Sequence, residues 1–295
     1  MREDTTGQTM TNPDFLPGLL GSFAKPAAEN PTVAIMEAAF HHHSMHYRYI
    51  NCEVSPDNLH RAVEGAKAMG WRGFNCSIPN KIKVIDYLDE LGESAKLIGA
   101  VNTVIIDADG HTRGENTDGK GFVKAISEVT DVKGKKMVIF GAGGASRAIC
   151  VEMALAGVSE ITIVNIEPKP AEDLVELLAT KTSAKAIFME WNETFEIPET
   201  ADIVINATPV GLYPNVEERL NINVGTLLPH MIVADCIPNP VNTHFVLDAK
   251  SNGCLHVLPG MNMLVNQAVI AVKYWTGVDV DAIVMKDELM KVLGL

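Results

Sequence analysis

Lys136-Met-Val-Ile-Phe140-Gly141-Ala142-Gly143-Gly144-Ala145-Ser146 is the stretch on which the reading of this chain turns. An apolar, β-branched run over residues 135–140 enters a glycine-rich turn, and residues 145–156 carry helical spacing directly after it. Strand, glycine turn and helix, in that order, form the context in which glycines bind phosphate. Gly141 can make the tight turn, and Gly143, lacking a Cβ, lets a pyrophosphate approach the backbone. The free N–H groups of the helix start then hold the anion. Ser146 replaces the third glycine of G-x-G-x-x-G and is still small enough for close helix packing. The candidate cofactor loop is therefore Gly141, Ala142, Gly143, Gly144, Ala145 and Ser146.

The next strand, residues 160–165, ends at Asn165, 24 positions after Gly141, and completes a βαβ unit. It runs into Ile166-Glu167. An acidic group there accepts hydrogen bonds from ribose hydroxyls and repels a 2′-phosphate. No arginine is adjacent and Lys169 is the nearest cation, so NAD is expected over NADP.

Strand-like and helix-like runs alternate on both sides of this unit. Upstream, strand character falls at residues 18–24, 47–54, 73–78 and 101–107, and helical spacing at 31–45, 56–69 and 81–91. Downstream, strands are expected at 184–190, 203–207 and 231–236, and helices at 121–128, 171–178, 262–274 and 280–293. Alternation of this kind predicts largely parallel sheets covered by helices. With 295 residues the chain suits two domains. The expected division is residues 11–117 plus 262–295 for a substrate domain and 118–261 for a dinucleotide domain, with the last helices returning to the first. The first ten residues are expected to form a mobile tail.

Composition narrows the partners. The net charge is −13, which argues against nucleic acid or an anionic membrane as the main partner. No window of about 18 apolar residues suggests a membrane span. The five cysteines (52, 76, 150, 236 and 254) are widely spaced with no C-x-x-C, the pattern of free thiols in a reducing cytoplasm. His41-His42-His43 with His46 lacks a carboxylate or cysteine at ligand spacing, so no metal site is expected.

Two segments away from the glycine loop carry acid–base chemistry. Asn75-Cys76-Ser77-Ile78-Pro79-Asn80-Lys81 places a lysine at a helix start, where the helix dipole disfavours its protonated form. Glu115-Asn116-Thr117-Asp118-Gly119 lies between the two series of elements and should line the cleft, so Asp118 could pair with Lys81. Removing hydride from a carbinol carbon requires such a group to move the proton. By itself Lys81 also fits a surface lysine, and Asn-Thr-Asp-Gly an ordinary turn or helix cap.

Taken together these segments, with Ala100-Val-Asn102-Thr103, Asn206-Ala207-Thr208-Pro-Val-Gly211 and Gly260-Met-Asn-Met263-Leu-Val-Asn-Gln267, resemble the shikimate/quinate dehydrogenase family from about Gly18 to Gly277. The resemblance implies an α/β fold of two domains. One is an N-terminal three-layer α/β substrate domain, the other a Rossmann-like NAD(P) domain. It implies that Lys81 and Asp118 are the catalytic pair, that Asn102 and Gln267 hydrogen-bond ring hydroxyls, and that Ser77 stands where the family usually has threonine. Asn165, Glu167, Ala207, Thr208, Gly260 and Met263 would contact the cofactor. The implied activity is NAD(P)-dependent oxidoreduction of shikimate or quinate, with no metal, in aromatic amino acid biosynthesis, by a monomer or homodimer. Two departures bear on the substrate. Asn30 and Thr32 stand where the family has a Ser-x-Ser pair gripping the carboxylate, and Pro238 stands where it typically has a substrate-facing tyrosine. Another cyclic hydroxy or amino acid, a non-cyclic substrate, or a catalytically weak NAD-binding regulatory protein are the alternatives.

Overall fold

The computed structural model describes residues 15–295. The expected tail and the expected domain start at residue 11 lie outside these. Two six-stranded sheets are built in succession. The first contains β1 (Gly18–Ala24), β2 (Tyr47–Glu53), β3 (Gly73–Cys76), β4 (Glu90–Leu91), β5 (Thr103–Ile106) and β6 (Thr112–Glu115), in the order β2-β1-β3-β5-β6-β4. The second contains β7 (Lys136–Phe140), β8 (Glu160–Asn165), β9 (Lys185–Glu190), β10 (Ile203–Asn206), β11 (Ile232–Asp235) and β12 (His256–Leu258), in the order β12-β11-β10-β7-β8-β9.

All pairings in the second sheet are parallel. Its strands are near-continuous apolar runs because helices cover both faces. Read from the other edge, its order is that of a doubly wound dinucleotide fold, and the strand order reverses between β7 and β10. Phe140 and Asn206 are in register there, so both strands end level and open one crevice. The first sheet is mixed: β3–β5 and β5–β6 run antiparallel, the latter across the tight turn at residues 107–111. Expecting mainly parallel pairing missed this hairpin, because β6 is only four residues long and carries polar Thr112, Arg113 and Glu115.

Among the described residues ten α-helices cover these sheets: α1 (Thr32–His42), α2 (Leu59–Ala68), α3 (Asn80–Lys83), α4 (Glu93–Ile98), α5 (Thr117–Ser127), α6 (Gly144–Leu155), α7 (Pro168–Lys181), α8 (His244–Ser251), α9 (Met261–Thr276) and α10 (Ala282–Val292). The C-terminal pair does return to the first sheet. Residues Val265, Val269, Val272 and Met285 join Leu20, Ile35 and Phe40 in one core, and the Trp275 indole donates to the Val104 carbonyl at 2.9 Å. The expected domain divisions fall in the first turns of α5 and α9, which pack against each other. Gly121 permits that approach: a Cβ there would stand 2.6 Å from the Gln267 backbone nitrogen. The amphipathic run at 81–91 is not one helix. It is a single α turn followed by a 3-10 turn at Val84–Tyr87 and a short strand. His43 closes the α1 end by accepting the Asp281 N–H at 3.0 Å, and among the described residues no three metal-ligating side chains gather.

Candidate active site

Asp118, the second residue of α5, is where the side chains converge. Asn116 caps that helix, its side-chain oxygen accepting the Asp118 N–H at 3.1 Å, which fixes the carboxylate's direction. Lys81 reaches across from α3 and places Nζ 2.6 Å from Asp118 Oδ2. Asn102, just before β5, donates to Asp118 Oδ1 at 2.8 Å. The Asn102 oxygen in turn accepts the Thr117 N–H at 2.7 Å. The Asn-Thr-Asp-Gly segment is thus both a helix cap and the seat of the pair. With α3 one turn long, what holds the Lys81 side chain is the Asp118 carboxylate rather than a helix end.

Lys81 and Asp118 line two adjoining cavities. One, of about 140 Å³, is walled by Asn30, Thr32, Asn75, Cys76, Ser77, Asn102, Leu264 and Gln267. All five expected substrate residues, Asn30, Thr32, Ser77, Asn102 and Gln267, therefore meet in one place with Lys81 and Asp118. Gln267 accepts from the Thr117 hydroxyl at 3.2 Å, which leaves its amide N–H groups for the cavity. Asn30 uses its oxygen to accept the Thr32 N–H at 3.0 Å. Asn51 on β2 ties down this loop by donating to the Ala27 and Asn30 carbonyls. Pro238 is not among the lining residues.

Three further side chains support this cluster, and sequence reasoning missed one of them, Tyr49. Tyr49 donates to Asn75 at 2.7 Å, and Asn75 donates to the Asn102 carbonyl and to Thr103 at 3.0 Å each. Burial raises the Tyr49 hydroxyl far above its ordinary range, so it stays a donor. Nothing local in the sequence marks Tyr49, whereas Thr103 closes the Ala100–Thr103 motif. Asn75 opens the segment that ends at Lys81, and its polarity in a buried strand was the available signal.

The second cavity, about 370 Å³, runs from the pair to Gly144 and Ala145, between Ile78, Pro79 and Ile82 on one side and Ala100 and Asn116 on the other. A third, about 490 Å³, continues along Gly141, Ala142, Gly143, Asn165, Ile166, Glu167, Pro170, Trp191, Ala207 and Thr208. The residues here fit a dinucleotide. Gly141 takes φ +101 and lies against the Ala207 carbonyl, as the switch-point turn requires. A Cβ added at Gly143 or Gly144 would meet nothing within 4 Å, so the start of α6 faces open space where a phosphate can sit.

Three expected cofactor residues do not face that groove. Ser146 is fully buried with its hydroxyl 3.9 Å from the Cys150 sulfur. Gly260 is fixed by packing: a Cβ there would strike the Cys236–Ile237 backbone. Met263 borders a small void beside Asp235 instead. Asp235 is buried, which pushes its carboxyl up, and it accepts from Thr243, Ile237 and Asn206. Asn206 then accepts from both the N–H and hydroxyl of Thr208 and so orders the Ala207–Thr208 loop.

A doubly wound sheet with an open glycine cradle, joined by one groove to a Lys–Asp pair, defines a two-domain NAD(P)-dependent oxidoreductase acting on a CH–OH group. The comparisons with known proteins specify which. Family models match for the shikimate dehydrogenase substrate-binding domain over residues 23–104, shikimate/quinate 5-dehydrogenase over 123–227 and the shikimate 5′-dehydrogenase C-terminal domain over 260–290. The chain is 37% identical to shikimate dehydrogenase (NADP(+)) of Methanothermobacter thermautotrophicus over 97% of its length and 99% of that protein. It belongs to the shikimate dehydrogenase family. Among solved structures, a ligand-free 5-ketofructose reductase of Gluconobacter sp. is 49% identical with a TM-score of 0.92, covering 95% of this chain and all of that one. Shikimate 5-dehydrogenase of Listeria monocytogenes, in complex with shikimate and NAD, is 34% identical with a TM-score of 0.86, covering 97% and 99%.

Proposed function

We propose that this chain reduces the ketone of a small polyhydroxylated compound, and oxidises the matching alcohol, with Lys81 as the proton donor and Asp118 holding it. The observation that carries this is the 2.6 Å Lys81–Asp118 contact at the junction of the small cavity and the groove leading to the glycine loop. The nicotinamide, when bound, supplies or accepts the hydride. Gly143, Gly144 and the α6 N–H groups would hold the pyrophosphate. During reduction the Lys81 ammonium donates a proton to the carbonyl oxygen as it gains negative charge, and Asp118 keeps the ammonium aimed. Asn102 fixes the other carboxylate oxygen, so the pair cannot rotate away. Asn30, Thr32, Ser77 and Gln267 contact the remaining hydroxyls.

For the substrate we favour a neutral keto-sugar of the 5-ketofructose kind. The 49% identity to the Gluconobacter reductase supports it, against 37% to the archaeal shikimate dehydrogenase. The cavity supports it too. Its lining holds one cation and one anion, already paired, and only uncharged groups at the Asn30–Thr32 end, in a chain of net charge −13. Shikimate, with quinate beside it, is the second reading, favoured by the curated relatives. For the cofactor we favour NAD. Glu167 borders the groove, and Lys169 is held by Asp173 at 2.6 Å. The archaeal relative is named for NADP(+), the competing cofactor. A cytoplasmic setting is part of the same reading and rests on five free thiols. Among the described residues no helix is long and apolar enough to cross a membrane.

A steady-state panel tests all of this: 5-ketofructose with NADH and NADPH, and shikimate and quinate with NAD and NADP. The highest kcat/KM is expected for 5-ketofructose with NADH. A tenfold preference for shikimate replaces the substrate reading, a preference for NADPH replaces that of Glu167, and turnover of none favours a regulatory NAD-binding protein.

A further inference from the structure

Arg147 is the fourth residue of α6, the helix whose first turn faces the phosphate cradle. Its guanidinium does not turn toward the cradle, and among the described residues it pairs with no carboxylate. Nε donates to the Ile98 carbonyl at 2.6 Å and Nη2 to the Leu97 carbonyl at 3.4 Å. These are the last carbonyls of α4, which ends at Gly99 with φ +71. Carbonyls at a helix C-terminus lack intrahelical partners and carry partial negative charge, so a guanidinium fork suits them.

The three residues after Gly99 give this contact its consequence. The Ala100 carbonyl accepts from Asn116 at 3.1 Å, and Asn116 is the cap of the helix bearing Asp118. The Val101 N–H donates to the Lys81 carbonyl at 2.8 Å. Asn102 donates to the Asp118 carboxylate at 2.8 Å. These three successive residues therefore hold Lys81, Asp118 and the cap of the helix bearing Asp118, and the helix end immediately before them is tied to the phosphate-binding helix by the Arg147 fork as well as by the apolar packing of Leu97 and Ile98. We infer that Arg147 is a positioning residue, which fixes the distance between the cofactor's phosphate site on α6 and the Lys81–Asp118 pair. This rests on the proposed roles of that pair and of the glycine loop. It adds a coupling that neither segment shows alone. A displacement of about 1 Å between hydride donor and acceptor is enough to lower a rate on the order of 100-fold.

The experiment compares Arg147→Ala, Arg147→Lys and Lys81→Ala with wild type. It reads kcat on the better of 5-ketofructose and shikimate, and the primary isotope effect with cofactor deuterated at the transferring position. It also reads cofactor Kd by reduced-nicotinamide fluorescence, and amide hydrogen exchange over residues 99–102 without cofactor. For Arg147→Ala we expect kcat to fall roughly 10- to 100-fold, with a larger isotope effect, a Kd within about threefold and faster exchange at Val101. Arg147→Lys, with one ammonium in place of the fork, should recover much of the rate. Should Arg147→Ala fail to fold, Arg147→Lys carries the test through a smaller loss with the same isotope and exchange signature. Unchanged kcat, isotope effect and exchange in Arg147→Ala overturn the inference, as does a raised Kd with kcat intact, which would make Arg147 a phosphate ligand. An active Lys81→Ala overturns the catalytic reading instead, so the two failures are told apart.

Discussion

Around Gly143 and Gly144 nothing stands within 4 Å of where a Cβ would be, whereas around Asp118 each carboxylate oxygen already has a partner. The glycine cradle at one end of the groove is made of backbone and of missing side chains, on consecutive residues. The cavity at the other end is made of side chains drawn from α1, β3, α3, α5 and α9 and from the segment just before β5. A backbone site depends on the local turn and tolerates change around it. A side-chain site depends on every element that delivers a member, so substitutions there should reach the chemistry without weakening cofactor binding.

The largest expected break of that contrast is Lys81→Ala. It should lower kcat by roughly 10²- to 10⁴-fold while cofactor Kd and melting temperature stay near wild type. Parallel kinetics and cofactor titration check it, and a loss under fivefold would remove Lys81 from the mechanism. Gly143→Val tests the other side. The residue has φ −78 and ψ −172, which a β-branched side chain adopts readily, and open space beside it. The empty protein should melt normally, but the isopropyl group occupies the phosphate's place and should raise cofactor Kd about tenfold or more, on the order of 1.4 kcal/mol. Normal affinity by titration would move the pyrophosphate elsewhere. A smaller effect is expected from Asn30→Ser with Thr32→Ser, which restores the family's pair. Serine can keep the cap on the Thr32-position N–H. The kcat/KM ratio of shikimate to 5-ketofructose should rise about tenfold; an unmoved ratio would place substrate discrimination at other residues.

How much could be read in advance follows the same division. The glycine loop, the strand ending at Asn165 and the parallel sheet were legible because each is written in consecutive residues with a fixed period. Lys81 and Asp118 were legible as a pair only through several motifs in order, since 37 positions and three strands separate them and spacing alone carries no contact. The α3 turn was misjudged as a long helix because periodicity does not register that residues 84–91 turn back onto β6. Ser146 and Gly260 show the converse. Both sit in cofactor-like motifs, yet packing against Cys150 and against the Ile237 backbone explains their small size. Tyr49 and Arg147 were invisible, for their partners lie 26 or more positions away in sequence.

The mildest effect concerns the seam between the two sides. Glu152, on the same helix as Arg147, is half-buried against α5: a Cβ at Gly119 would stand 2.7 Å from its Cγ. One carboxylate oxygen is buried without a hydrogen-bond partner. Desolvation pushes its carboxyl above the ordinary glutamate range, against the smaller lowering effects of Ser94 and Lys120. A carboxyl whose folded pKa exceeds its unfolded one binds its proton more tightly when folded. Its contribution to stability is intact below the unfolded value and lost as pH rises through the folded one. Glu152→Gln keeps the shape and is neutral at every pH, so its melting temperature should match wild type near pH 4 and exceed it by a small margin at pH 7 to 8. Thermal unfolding across that range is the measurement. An equal offset at all pH values would mean that the seam responds to packing rather than to the buried charge. In that case α6 would be held against the catalytic half by Arg147 and by shape, with Glu152 contributing no electrostatic strain at the joint.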